Sequence, residues 1–148
     1  MKKESKNMSN KIFIDTNILV YAYDKTYEIK HNKAKNILFS KISEKDDFFI
    51  SAQILNEFYY VLARKQVSHS SIANYINEII ENTTVLPILL ENTMKAIDIK
   101  ERYSFAWFDS VILATSLQNG CHKIYSEDFQ HNQVVEGTLK IINPFADE

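Results

Sequence analysis

Short apolar runs alternate with longer amphipathic segments along most of the chain. The runs of strand length cover residues 12–14, 48–50, 85–86, 123–125 and 139–142. Between them, apolar residues recur every three or four positions, which is typical of helices. This spacing predicts helices over residues 18–23, 34–42, 52–65, 72–80, 92–103 and 108–119. Strands that alternate with helices of this length predict an α/β fold, with a parallel sheet sandwiched between helices.

Two predicted helix ends carry recognisable capping residues. Ser51 directly precedes the helix at 52–65, and serine is a favoured N-cap residue. Gly120 follows the apolar helix at 108–119, where a glycine commonly adopts the left-handed conformation that ends a helix.

The composition is that of one well-filled domain. The chain has 148 residues, is 45% apolar, and contains two glycines and two prolines, so we expect a single domain over residues 11–148 after a flexible extension at 1–10.

The lone Cys121 cannot form an intramolecular disulfide, and the first eleven residues lack the apolar stretch of a secretory signal. The longest apolar run is far below the roughly 20 residues that cross a bilayer. We therefore expect a cytoplasmic protein without a membrane segment.

The charge argues against nucleic-acid binding by bulk electrostatics. The net charge is −2 and the pI is about 6.1, whereas proteins that bind nucleic acid in this way are usually strongly basic. Residues 1–11 and 25–35 each carry four lysines against one glutamate. These two stretches could provide local phosphate contacts, or they could simply be a solvated tail and a solvated helix face.

Three acidic residues follow or adjoin predicted strand ends. Asp15 follows the first strand, Asp128 follows the strand at 123–125, and Asp109 opens the long apolar helix. Ligands of open α/β sheets bind at the carboxyl ends of the strands. Each residue alone has a structural explanation, since aspartate also forms turns and favours the first turn of a helix.

Glu57 is placed differently, because it lies inside a predicted helix. It shares a helix face with Ile54 and Val61, so its carboxylate is expected to point toward protein, where it needs a partner such as Arg64. Brought together with the three aspartates, it would be repelled by them. A hard divalent cation, Mg²⁺ or Mn²⁺, relieves that repulsion, and the four carboxylates are therefore candidate metal ligands.

Other kinds of site fit the sequence less well. Cys121 and His122 are adjacent but lack the spacing of a zinc site, and Cys121 is predicted to be a core thiol. With Gly120 and Gly137 as its only glycines, the chain can hold neither a P-loop nor a dinucleotide-binding motif.

Two aromatic pairs lie inside predicted helices. Tyr59 with Tyr60, and Trp107 with Phe108, could stack on nucleic-acid bases. Aromatic pairs in apolar helices are usually part of the core, and this is the prediction we adopt for both.

Several segments together resemble one family. They read I-F-I-D-T-N-I-L-V-Y-A at 12–22, N-E-F at 56–58, F-A-W-F-D-S-V-I-L-A-T-S-L-Q-N-G-C at 105–121, I-Y-S-E-D-F-Q-H at 124–131 and I-I-N-P-F at 141–145. In this order and spacing they resemble PIN domains, in particular the VapC-type toxins of toxin–antitoxin pairs. The resemblance covers about residues 11–145. Asn132 stands where relatives often have glycine, and asparagine is well suited to a left-handed turn.

The resemblance implies roles for individual residues. Asp15, Glu57, Asp109 and Asp128 match the four acids of the family's metal site. Thr16 or Asn17 would orient the first acid, and Ser126 would offer a hydroxyl to the network of water around the metal. The resemblance also implies a five-stranded parallel sheet, a homodimer, and an antitoxin partner that covers the active-site groove.

The function implied is that of an endoribonuclease dependent on Mg²⁺ or Mn²⁺. It would hydrolyse the phosphodiester with a metal-activated water and leave a 5′-phosphate and a 3′-hydroxyl, with tRNA or rRNA as substrate. The main alternative is a catalytically inactive PIN-like module that binds RNA or a partner. A phosphatase with Asp15 as nucleophile is disfavoured, because such enzymes usually carry a second aspartate where this chain has Asn17.

Overall fold

The computed structural model of the chain describes residues 10–40 and 46–146. Within this part, six strands and six helices are present. The strands are β1 (Asn10–Ile14), β2 (Asp46–Ser51), β3 (Thr84–Leu86), β4 (Lys123–Tyr125), β5 (Val134–Val135) and β6 (Leu139–Ile142). The helices are α1 (Thr16–Tyr23), α2 (Glu28–Phe39), α3 (Ala52–Arg64), α4 (His69–Asn82), α5 (Leu90–Tyr103) and α6 (Trp107–Gln118). Residues 1–9 of the predicted extension, and the predicted helix end at Ile42, lie outside the described residues.

The strands form one mostly parallel sheet in the order β3-β2-β1-β4-β6-β5. The first five strands in that order are parallel to one another, as the resemblance implies. β5 adds a sixth strand, antiparallel to β6, which the sequence pattern did not predict. The predicted α/β class, with a parallel sheet between helices, is confirmed.

The centre of the sheet is buried on both faces. Ile12, Phe13 and Ile14 of β1 are almost fully buried, although successive residues of a strand point to opposite faces. This explains why β1 is an unbroken apolar run, which is typical of a parallel strand covered by helices on both sides. Burial of a side chain such as that of Phe13 contributes roughly 2–3 kcal/mol.

α6 is the most enclosed of the described helices. All seven residues from Ser110 to Ser116 are buried. The hydroxyls of Thr115 and Ser116 donate to backbone carbonyl oxygens one turn earlier, so these polar groups stay satisfied inside the protein. Asp109, the residue just before this buried segment, is consequently fixed in position by a helix that cannot move without disrupting the core.

The capping predictions meet different outcomes. Gly120 follows α6 with φ of +80°, and Asn132 has φ of +71°, so both adopt the predicted left-handed conformation. Ser51 does occupy the N-cap position of α3, but its hydroxyl makes no capping hydrogen bond. The predicted N-cap position of Ser51 is therefore confirmed, without the side-chain hydrogen bond that often accompanies it. Cys121 is buried, as expected of a core thiol, and burial raises its pKa to about 12.

None of the helices in the described ranges is long and apolar enough to span a bilayer.

Candidate active site

The strand order brings the predicted acids to one edge of the sheet. β1 lies between β2 and β4, and Ile14 pairs with Tyr125, so Asp15 leaves the sheet beside Ser126. All three strands are parallel and end at the same edge. The helix that follows β2 carries Glu57 to this edge, and the first turn of α6 carries Asp109 there.

Asp15 is the most buried of the four acids, with 3% of its surface exposed. It is the N-cap residue of α1, and its Oδ1 accepts a hydrogen bond of 2.7 Å from the backbone N–H of Thr16. Its Oδ2 accepts one of 2.6 Å from the hydroxyl of Ser126. Burial raises the pKa of Asp15 to about 7, against the lowering effect of the two hydrogen bonds, and the charges of Asp128 and Asp109 raise it further.

Glu57 is half-buried and points into the protein, as its helix face predicts. Its Oε1 accepts a hydrogen bond of 2.6 Å from the hydroxyl of Thr16, and its Oε2 accepts one of 3.0 Å from Nε2 of Gln53. These are the hydrogen bonds that satisfy the carboxylate. Arg64, the partner that the sequence offered, instead stacks on the ring of Tyr60.

Asp109 and Asp128 complete the edge. Burial raises the pKa of the half-buried Asp109, and the charges of Asp128 and Glu57 raise it further. Asp128 is exposed, on the loop after β4, and its backbone N–H donates to the hydroxyl of Ser126 at 3.1 Å. The electrostatic effects link all four acids, because Asp15 responds to Asp109 and Asp128, and Asp109 responds to Glu57.

The chemistry of the site fits a hard divalent ion. Among residues 10–40 and 46–146, no three acidic, histidine or cysteine side chains are close enough to form a ready-made metal cluster. Mg²⁺ does not require one, since it commonly binds through one or two carboxylates and keeps several waters. Two buried polar atoms beside the acids, Nδ2 of Asn17 and Oε1 of Gln53, have no partner among the described residues. Such atoms are expected where ordered water or a ligand completes the site.

A groove with a volume of about 690 Å³ opens at the acids. Its acidic end includes Glu57 and Asp128. Its walls are largely apolar and aromatic, formed by Val20, Tyr21, Tyr27, Tyr60, Val61 and Phe108.

One prediction about the aromatic pairs was wrong. Tyr60 is 61% exposed and Phe108 is 62% exposed, so neither lies in the core. Their neighbours are partly buried: Tyr59 packs against the main core, and Trp107 packs against a smaller one. The helical spacing explains the split, because adjacent residues of a helix point in directions about 100° apart.

The residues expected to support the acids have specific partners. Thr16 contacts Asp15 through its backbone and Glu57 through its hydroxyl, so it joins two of the acids. Ser126 donates to Asp15. Oδ1 of Asn17 accepts from the backbone N–H of Glu127 at 3.2 Å, which ties α1 to the loop that carries Asp128.

Two residues at this edge were missed by the sequence reasoning. Gln53 lies four residues before Glu57, a spacing at which helical side chains meet, and this could have identified it. The carboxylate of Glu127 accepts a hydrogen bond of 2.8 Å from the hydroxyl of Tyr21 and pairs with Lys30. No sequence signal links Lys30 to Glu127, because the two residues are 97 positions apart.

Comparison with known proteins identifies the family. The sequence model of the PIN domain matches residues 12–137, which is most of the chain. The chain therefore belongs to the PIN domain family. No curated protein matches it in sequence.

Solved structures share the fold at low sequence identity. The chain is similar to Mycobacterium tuberculosis VapC20, described as a sarcin–ricin loop cleaving toxin, with a TM-score of 0.65 and 17% identity over 79% of this chain and 89% of that one. A toxin–antitoxin complex from Klebsiella pneumoniae matches with a TM-score of 0.66 and 17% identity, over 90% and 98% of the two chains. VapBC2 from Rickettsia felis, bound to a DNA fragment from its promoter, matches with a TM-score of 0.67 and 13% identity, over 90% and 99%.

Proposed function

We propose that this protein is an endoribonuclease dependent on Mg²⁺ or Mn²⁺, and the toxin of a toxin–antitoxin pair that acts on cytoplasmic RNA. The observation that carries the proposal is the convergence of Asp15, Glu57, Asp109 and Asp128 at the carboxyl edge of a PIN-family sheet. The charges of the neighbouring acids raise the pKa values of Asp15 and Asp109, so gathering the four carboxylates is unfavourable without a cation. The repulsion between these carboxylates is explained if they bind the metal ion of a nuclease.

In the proposed mechanism, Asp15 and Asp109 would hold the ion, and Asp128, on the loop after β4, would be a further ligand. A divalent ion bound there would lower the pKa of water and neutralise charge on the phosphate. Ser126 and the backbone of Thr16 fix both oxygens of Asp15. Thr16 and Gln53 fix both oxygens of Glu57, so that it can orient water for attack on the phosphate. No histidine pair is needed, and the products would carry a 5′-phosphate and a free 3′-hydroxyl.

Two molecules are proposed to bind in the groove: RNA, and a segment of the antitoxin. Three acids and one lysine line it (Asp24, Glu57, Asp128 and Lys65), so its charge opposes RNA until a metal ion is bound. The same negative charge, set between apolar walls, suits a basic amphipathic segment of an antitoxin. The structures of toxin–antitoxin complexes with this fold support such a partner. tRNA or rRNA is the proposed substrate, and VapC20, which has the same fold, is described as cleaving the sarcin–ricin loop.

A homodimer through α5 belongs to the same proposal. Leu90, Met94 and Ile97 lie on one face of this helix and are large, exposed apolar side chains, with Leu90 77% exposed. Their spacing of four and three residues is that of a helix-pairing seam. Two copies related by a twofold axis would bury the same face on both chains.

The inactive-module alternative predicts a damaged acidic site. All four acids that the resemblance implies are present, and they lie at one edge of the sheet. The arrangement therefore favours an active enzyme over a binding module.

The test is cleavage of RNA by the purified protein and by Asp109→Asn. We expect cleavage with Mg²⁺ or Mn²⁺, none with excess EDTA, and a loss of at least about 100-fold in the variant, comparable to removal of one key electrostatic group from an active site. Melting curves in EDTA and in Mn²⁺ serve as the control for folding. Mn²⁺ should raise the melting temperature of the parent more than that of the variant, by an amount that follows RT ln(1 + [L]/Kd). Full cleavage in EDTA, or equal metal-induced shifts in both proteins, would contradict the proposal.

A further inference from the structure

Gln53 connects two helices at the acidic edge. Its Nε2 donates to Oε2 of Glu57 at 3.0 Å and to the backbone carbonyl of Phe108 at 3.3 Å. Glu57 lies one turn further along α3, whereas Phe108 belongs to the first turn of α6 and directly precedes Asp109. One amide group thus joins the helix that carries the glutamate to the helix that carries the aspartate.

The two contacts fix the orientation of the amide. A carboxylate oxygen and a backbone carbonyl are both acceptors, so the nitrogen of Gln53 must face them. Its Oε1 then faces away and is buried without a partner. An unsatisfied buried acceptor is unfavourable unless water or a ligand completes it. An apolar side chain would avoid this penalty, which indicates that the amide has a role other than stability.

The repulsion between Glu57 and Asp109 indicates what the role of the Gln53 amide is. The charge of Glu57 acts unfavourably on Asp109, which means that the two carboxylates repel each other. The donor group of Gln53 lies on the Glu57 side of this pair and is bonded to the turn that holds Asp109. It therefore opposes the separation that repulsion would cause before a cation is bound.

We propose that Gln53 is a positioning residue, which fixes the distance between Glu57 and the first turn of α6. At this distance, Glu57 and Asp109 can both contribute to the binding of one divalent ion. This inference rests on the metal-dependent function proposed above. Residues that orient metal ligands commonly affect metal affinity by 10–100-fold when removed.

The experiment measures Mn²⁺ affinity by titration calorimetry or electron paramagnetic resonance, on the full chain, without RNA. Gln53→Met keeps the length of the side chain and removes the donor. The matched control is Asn56→Leu on the same helix, because the amide nitrogen of Asn56 donates to the carbonyl of Ala52 within α3 and, among the described residues, to no acidic side chain. We expect the Kd for Mn²⁺ to rise at least about tenfold in Gln53→Met and to be unchanged in Asn56→Leu. The melting temperature of the metal-free Gln53→Met protein should stay close to that of the parent.

A thermodynamic cycle tests whether Gln53 acts through Glu57. In a Glu57→Gln background, Gln53→Met should weaken Mn²⁺ binding far less than it does in the parent. If Gln53→Met does not fold, Gln53→Asn takes its place, since its side chain is one methylene shorter and cannot span both acceptors.

The outcomes separate this inference from the proposed function. Unchanged Mn²⁺ affinity in the Gln53 variants, an equal loss in Asn56→Leu, or an equal loss in the Glu57→Gln background would overturn the role of Gln53. A parent that binds Mn²⁺ but cuts no RNA would refute the nuclease proposal. The Mn²⁺ affinities of the parent and of Gln53→Met would still decide the role of Gln53. A parent that binds no Mn²⁺ would overturn both.

Discussion

Asp15 caps a helix and is also one of the four proposed metal ligands. It caps α1, as an aspartate after a strand often does, yet it is buried beside two other acids and its pKa is raised to about 7. A cap on the surface would keep its charge at little cost. In the metal-free protein, deprotonation of Asp15 is therefore coupled to a loss of stability.

We predict that Asp15→Asn makes the metal-free protein more stable at pH 8 but not at pH 4. The pKa of Asp15 is higher in the folded state than in the unfolded chain, so its contribution to stability is full below about pH 4 and is lost as the pH rises through about 7. The interval of roughly three pH units corresponds to at most about 4 kcal/mol. Asparagine stays neutral throughout. Its Oδ1 can accept from the N–H of Thr16, and its Nδ2 can donate to Oγ of Ser126, which reverses the direction of that hydrogen bond.

Melting curves in EDTA at both pH values test this prediction. Asp47→Asn, which changes an exposed carboxylate on β2, is the control. A stability difference between Asp15→Asn and the parent that does not vary with pH would show that Asp15 is ionised in the folded protein at both values.

At the residue scale, the four acids of the candidate site could be proposed from the residue pattern, whereas Thr16, Asn17 and Ser126 followed from the family resemblance. Asp15 and Asp109 were found because acids beside apolar segments are conspicuous. Gln53 was missed, although its spacing of four residues from Glu57 could have identified it. Its second acceptor, the carbonyl of Phe108, lies in a helix distant in sequence and gave no signal. The exposure of Phe108 was also not predictable, since side-chain identity does not reveal which part of a helix forms the wall of a groove.

At the scale of elements, the loop after β4 is tied to two helices by Glu127. The carboxylate of Glu127 pairs with Lys30 of α2 and accepts a hydrogen bond from Tyr21 of α1. The ammonium group of Lys30 also lies 5.1 Å from the centre of the Tyr21 ring and 5.5 Å from that of Phe145. Because Asp128 is the next residue, this cluster limits how far that acid can move.

We predict that Glu127→Gln and Lys30→Met each reduce RNA cleavage several-fold while changing stability by less than about 1 kcal/mol. The pair is partly exposed, so its net contribution to stability is small. Its effect on Asp128 is one of position, to which reaction rates are far more sensitive. The measurements are kcat/KM and urea unfolding for each variant.

Exchange of the two charges provides the decisive comparison. Lys30→Glu combined with Glu127→Lys restores an ion pair between the same elements, and should be more active than either single exchange. A double variant no better than the worse single one would argue against this role of the pair.

Every predicted helix and strand has a counterpart in the described residues, although several begin or end elsewhere. β4 and β6 have the predicted bounds, whereas β2, predicted at 48–50, covers Asp46–Ser51, and α2, predicted from residue 34, begins at Glu28. β5 was missed because it contains two residues, Val134 and Val135, and two residues cannot establish an alternation. Its antiparallel pairing depends on the turn at Glu136, where φ is +53°, a conformation that sequence alone rarely indicates outside glycine.

At the scale of the whole molecule, the proposed homodimer forms through the exposed apolar face of α5, which consists of Leu90, Met94 and Ile97. We predict that Met94→Glu converts a dimer into a monomer, because a charge at the centre of an apolar interface cannot be solvated there. Light scattering after size-exclusion chromatography gives the mass directly. Glu91→Lys, an exposed position on the same helix that points about 100° away from Leu90, should leave the mass unchanged. A parent that is monomeric at micromolar concentration would contradict the proposed interface.

The ends of the sheet restrict how this protein can associate. β3, at one end, has three residues, and β5, at the other, has two. Strands this short offer another chain few free backbone groups, which is one of the ways in which proteins prevent uncontrolled growth of a sheet. Growth by strand addition is therefore disfavoured at both ends. For the toxin proposed above, which would be stored in complex with an antitoxin and released intact, a sheet that does not seed aggregation would be an advantage.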